Sequence, residues 1–164
     1  MRLRFLFVVP LLLLAASPIA GRQKPDFSGE WTFNKEKSRL AAAWAANLER
    51  GSVRIVHREP VFRFDRTFTM QGEDSKASYE LTTDGKPVEE TAADVKSSSR
   101  MYWEGDILVL SQRFEKAGLP EATNVVHYRL LEGGRVLEAV ERVTGPRAHE
   151  NVWIFEKAPV APVK

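Results

Sequence analysis

The chain has 164 residues, with 24 basic and 22 acidic side chains, a formal net charge of +2 and no cysteine. The missing cysteine excludes a disulfide framework, a thiol nucleophile, a thiolate metal site and an acylated lipoprotein cysteine. The near-balance of charge, with acids interspersed among the bases, gives no basic patch for nucleic acid or an anionic membrane.

Met1-Arg2-Leu3-Arg4 is a short basic stretch, the apolar residues 5–16 follow, and Ser17-Pro18-Ile19-Ala20-Gly21 closes with small side chains. These are the three parts of a secretory signal peptide, so residues 1–20 are expected to be removed by cleavage after Ala20 or Gly21, giving a secreted or periplasmic protein. The apolar run falls short of the ~20 residues of a membrane span and Pro10 interrupts it, so no stable membrane insertion is expected after cleavage. Arg2 and Arg4 account for the whole formal charge, leaving the exported part neutral. Residues 26–157 read as one domain, and the Pro/Ala-rich residues 158–164 as a flexible tail.

Residues 30–34 read as a first strand. Residues 38–50 then change period: alanine-rich, with Leu40, Trp44 and Leu48 four apart and Gly51 beyond, they predict one short helix. After Gly51 the period becomes two. Val53 and Ile55 alternate with charged neighbours, Pro60 marks a bend, and Phe62, Phe64, Arg66, Phe68 and Met70 share one face. Segments 77–83, 87–91, 95–103, 107–115, 123–131, 136–144 and 149–156 follow, separated by turn signals such as Asp84-Gly85, Gly105-Asp106 and Gly133-Gly134. The pattern predicts an all-β fold, an antiparallel up-and-down meander β-barrel of 8–10 strands, with the helix between strands 1 and 2. Closure would remove unpaired edges.

Asp26-Phe27-Ser28-Gly29-Glu30-Trp31, with Thr82-Thr83-Asp84-Gly85-Lys86, Trp103-Glu104-Gly105-Asp106-Ile107-Leu108 and Leu137-Glu138-Ala139-Val140-Glu141-Arg142, resembles the lipocalin-like proteins exported by acidobacteria, in the calycin superfamily. The resemblance spans nearly all of the exported chain. It implies a meander barrel that often holds a small apolar ligand, with Gly29 and Trp31 forming a plug at one end and a late-strand arginine packed over the indole. Arg142 is the candidate for that arginine and Arg129 the second choice. The predicted helix departs from this pattern.

The candidate ligand-lining set is Phe62, Phe64, Arg66, Phe68, Met70, Tyr79, Trp103, Tyr128 and Trp153, with Arg66 as a polar anchor for a ligand carboxylate. The alternative is a filled barrel in which Arg66 reaches water or pairs with Glu138 or Glu141, the protein then acting as a scaffold or interaction module. Leu40, Trp44 and Leu48 are candidates for a lid over the open end; the same stripe also suits plain packing. A calycin-type enzyme acting on a lipid-like substrate would need titratable groups meeting inside, such as Arg66 with Glu138 or His127. No nucleophile, phosphate-loop or dinucleotide motif is present, and Glu89-Glu90 on a strand would face opposite sides. His57, His127 and His149 lie on three separate strands without a metal-ligand spacing, so no metal or cofactor is expected. The expected partner is a small apolar or amphipathic molecule.

Overall fold

A computed structural model describes residues 23–159; the expected signal, residues 1–20, and residues 160–164 of the expected tail lie outside the described residues. Eleven antiparallel strands form one sheet: β1 Gly29–Phe33, β2 Arg39–Leu40, β3 Leu48–Arg58, β4 Val61–Met70, β5 Glu73–Thr82, β6 Val88–Ala92, β7 Val95–Glu104, β8 Ile107–Lys116, β9 Ala122–Leu131, β10 Val136–Val143 and β11 His149–Lys157. The order is β5-β4-β3-β1-β11-β10-β9-β8-β7-β6, and β2 pairs with β11 off this path. Every step along the path joins chain neighbours, except that β1, between β3 and β11, links the two ends of the meander. The result is an antiparallel meander barrel.

The barrel is nearly closed rather than sealed. β5 and β6 form the two ends of the sheet, and the seam is stitched by the Asp84–Tyr102 bridge, with the Gly85 N–H donating to the Met101 carbonyl at 2.9 Å. Glu73, Asp74, Lys76 and Glu80 on β5 and Glu89 and Glu90 on β6 put charge along these edges, which discourages pairing with another chain.

No α-helix forms between β1 and β3. Only Ala43–Asn47 turns, as a 3₁₀ helix. Tertiary hydrogen bonds override the alanine propensity here. The Asn151 Oδ1 accepts from the backbone N–H of Ala41 at 2.8 Å and of Ala42 at 3.2 Å, while the Ser38 hydroxyl donates to the Asn34 carbonyl and accepts from the Ile154 N–H. These contacts tie the segment to β11 as extended backbone. Leu40, Trp44 and Leu48 therefore fall on three different elements and share no helical face.

Paired residues in an antiparallel ladder point the same way. The inner face thus carries Phe62, Phe64, Arg66 and Phe68 of β4 opposite His57, Ile55, Val53 and Gly51 of β3. Gly51 is there for space: a Cβ would stand 2.7 Å from the Phe68 ring.

One end of the barrel, the base, is solid. The leader before β1 folds across it and inserts Phe27, fully buried, against Phe62, His57 and Trp103 with ring centroids 6.0–6.3 Å away. Trp31 is buried beside it and donates from Nε1 to the Phe27 carbonyl at 3.1 Å. The cation over this indole is Lys157, its Nζ 5.2 Å from the ring centroid, and not Arg142. Arg142 is one residue out of phase with the inward Leu137, Ala139 and Glu141. It points outward and pairs with Glu150 at 2.6 Å; Arg129, also outward, faces Glu138 at 3.9 Å. Gly29 begins β1 at φ +143°, where a side chain would be strained.

The polar groups of the base satisfy one another. The Phe27 N–H approaches His57 Nδ1 at 3.4 Å, and His57 Nε2 lies 3.1 Å from Glu59 Oε1. Glu59 also accepts from Trp103 Nε1 at 2.7 Å and from the Thr83 hydroxyl. Burial alone would raise the Glu59 carboxyl; the hydrogen bonds from Thr83, Trp103 and His57 outweigh it and hold the group below the usual glutamate range.

Candidate functional site

A cross-barrel bond divides the filled base from an internal chamber. The Tyr79 and Tyr128 hydroxyls, on β5 and β9, meet at 3.0 Å. Burial pushes the Tyr79 hydroxyl well above the usual tyrosine range, and the same cause lifts Tyr128 to about 12. Both stay protonated at neutral pH. One O–H serves the pair and one is left to donate elsewhere.

Beyond this bond lies a cavity of about 380 Å³ lined by Trp44, Phe64, Arg66, Phe68, Ala77, Tyr79, Leu110, Gln112, Asn124, Val126, Tyr128, Ala139, Glu141, Trp153 and Phe155. Its walls are largely aromatic: Phe64 stacks on Tyr79 at 5.0 Å and Phe68 on Trp153 at 5.5 Å. Trp44, 43% exposed on the 3₁₀ turn, lies over Trp153 with centroids 5.8 Å apart and closes part of the mouth. The volume and lining are in the range of small-molecule sites.

The polar groups are few and unevenly satisfied. Arg66 is exposed at the mouth and sits 5.1 Å above the Phe68 ring; it pairs with neither Glu138 nor Glu141. Across the chamber, Glu141 Oε2 accepts from Asn151 Nδ2 at 2.7 Å and from Trp153 Nε1 at 3.0 Å, and His149 Nε2 lies 3.9 Å away. Asn124 donates to Gln112 at 3.2 Å, Gln112 donates to Ser99 at 3.1 Å, and the buried Asn124 Oδ1 has no hydrogen-bond partner among the described residues.

Of the nine residues marked as lining in the sequence, Phe64, Arg66, Phe68, Tyr79, Tyr128 and Trp153 border this chamber. Phe62 and Trp103 belong to the solid base, and Met70 sits near Trp44 at a separate rim depression. Leu48 is fully buried in the core and Leu40 half-buried on β2, so of the three lid candidates only Trp44 borders the cavity. Glu138 and His127 are on the outer face, so neither meets Arg66 inside. His57, His127 and His149 do not converge; among the described residues no group of three His, Asp or Glu could hold a metal ion. Gln112 and Asn124 were missed, and Glu141 was weighed only as a partner for Arg66 and not as a lining residue. Their signal was phase: each is an even step from inward Leu110, Val126 and Ala139.

No family model matches this chain, and no curated protein sequence matches it. Solved structures do. An abundant heat soluble (SAHS) protein from Ramazzottius varieornatus superposes with TM-score 0.55 at 10% identity, covering 80% of this chain and 94% of that one. Human cRBP IV gives 0.55 at 17% identity, covering 82% and 99%. Lipid binding protein 8 of Caenorhabditis elegans gives 0.53 at 12%, covering 80% and 95%. At these identities the likeness establishes the fold: a calycin-like β-barrel.

Proposed function

We propose that this protein is an exported barrel that holds a small amphipathic molecule in the chamber between the Tyr79–Tyr128 bond and Trp44. The observation that carries the reading is the chamber itself: about 380 Å³ walled by aromatic rings, with a guanidinium at its mouth that has no counter-ion among the described residues. Aromatic walls supply apolar area, and a few placed polar groups orient the ligand. An acidic group on the ligand would give Arg66 the bidentate partner it lacks. Trp44 is the movable part of the roof, tethered through β2 and the buried Leu48. A wholly filled scaffold barrel is the weaker reading, because only the base is solid.

The basic-apolar segment at residues 1–20 supports export; protein recovered from its host should begin at Gly21 or Arg22 by intact mass. The binding test is native mass spectrometry of that protein, followed by titration with twelve-carbon amphiphiles read by tryptophan fluorescence. The name of one structural neighbour, a lipid binding protein, guides the choice of probe. A co-purifying small molecule and saturable quenching support the reading. Repeated absence of both overturns it.

A further inference from the structure

The two walls of the chamber differ in charge. Arg66 stands on β4. Glu141 stands on β10, and in the strand order β3, β1 and β11 lie between these two strands. In a ring of ten strands that spacing places them on facing walls. Both border the same cavity, yet no ion pair joins them. Among the described residues, the hydrogen bonds and ion pair of the Glu141 carboxylate, with Asn151, Trp153 and His149, fall on Oε2. One wall thus offers positive charge, and the other offers a carboxylate whose second oxygen, Oε1, has no hydrogen-bond donor among the described residues.

A guanidinium and a carboxylate that face a chamber with aromatic walls are both unfavourable when they meet only hydrocarbon. A simple fatty carboxylate satisfies Arg66 but brings a like charge into the chamber of Glu141. A simple alkylamine satisfies Glu141 but meets Arg66. Resting on the binding reading above, we propose that the ligand is bipolar: an amphiphile with an anionic group for Arg66 and, separated from it by apolar atoms, a protonated amine or N–H donor for Glu141.

The test is a matched set of four probes on the full exported chain: dodecanol, dodecanoate, dodecylamine and the ω-amino derivative of dodecanoate, titrated by calorimetry. A uniformly apolar cavity ranks the ω-amino acid last, since it must desolvate charge at both ends. The bipolar chamber ranks it first, by about tenfold or more over either singly charged probe, the worth of one charge-assisted hydrogen bond. Glu141→Gln keeps an acceptor for Asn151 and Trp153. It should weaken the ω-amino acid about tenfold while leaving dodecanoate unchanged or tighter. Arg66→Gln should do the reverse, weakening both carboxylates and sparing dodecylamine. If dodecanoate or dodecanol binds best and Glu141→Gln leaves that order intact, the bipolar ligand is overturned while the cavity reading stands. If none of the four binds, both fall.

Discussion

The two ends of this barrel are built from the same alternating strands, yet one is solid and the other hollow. At the base, Phe27 enters from the leader and completes a cluster with Phe62, His57 and Trp103, and Glu59 takes up the donors around it. At the mouth, the segment joining β1 to β3 lies across the opening instead of entering it. It is tied to β11 by Asn151 and Ser38 and buries only the small Ala42 and Ala45 against the core, so that among its described side chains Trp44 alone borders the chamber. Period-two strands fix which side chains point inward. Whether the interior fills is decided by what the connecting segments insert.

The largest effects should separate the ends by stability. Phe62→Ala empties a fully buried site in the base and should cost about 3–5 kcal/mol in urea denaturation. Phe68→Ala at the mouth borders space already open, so its cavity penalty is smaller, about 1–2 kcal/mol, with the larger loss in ligand affinity. Equal costs at both positions would show that the chamber is packed in solution.

This division was only partly legible in the sequence. The alternation across 62–70 and its Asp-Gly and Gly-Gly turns gave the meander and the inward phase, because period and turn chemistry are local properties. The segment 38–50 was not legible: its alanines favour a helix, and the groups that override them, Asn151 and Ile154, lie more than 100 residues away. Arg142 was misplaced as the tryptophan's cation because the expectation came from resemblance and not from phase. Counting in twos from Leu137 sends it outward. Phe27 went unmarked as a core residue because it precedes the first strand, where no periodicity exists to read.

A second contrast lies in pH. Glu59→Gln at the base disturbs an acceptor shared by three donors and should cost about 1–3 kcal/mol. The Glu59 carboxyl is held below its unfolded value, so its contribution is full above that value and is lost as pH falls through the folded one. Asp26 has the same sign: burial would raise it, but the Ser28 hydrogen bonds and His57 hold it down. Acid should therefore loosen the base first, and Glu59→Gln should flatten the acid limb of stability against pH. The floor of the chamber has the opposite sign. Tyr79 and Tyr128 are raised, so their contribution is full below the ordinary tyrosine value and fades as pH rises toward about 12. Tyr79→Phe alone strands the Tyr128 hydroxyl and should cost about 1–2 kcal/mol, whereas the double Tyr79→Phe/Tyr128→Phe should be nearly neutral and should remove the alkaline dependence. A double mutant as unstable as the sum of the singles would mean the hydroxyls do not pair.

The smallest effect sharpens the account of the base itself. Lys157 lies over the Trp31 ring but is exposed, so the cation–π contact is worth only about 0.5–1 kcal/mol. Lys157→Met keeps the alkyl stem that crosses Gly29 while removing the charge, so the loss should appear in thermal unfolding and shrink in high salt. Arg142→Met removes a surface pair with Glu150 on the outside and should change stability by less. The two substitutions together distinguish the assignments: if Arg142→Met shifts the Trp31 fluorescence and Lys157→Met does not, the cation over the indole comes from β10 after all. The geometry predicts the reverse, because only residues in phase with Trp31 across the β1–β11 ladder can reach its ring, and Lys157 is its direct partner.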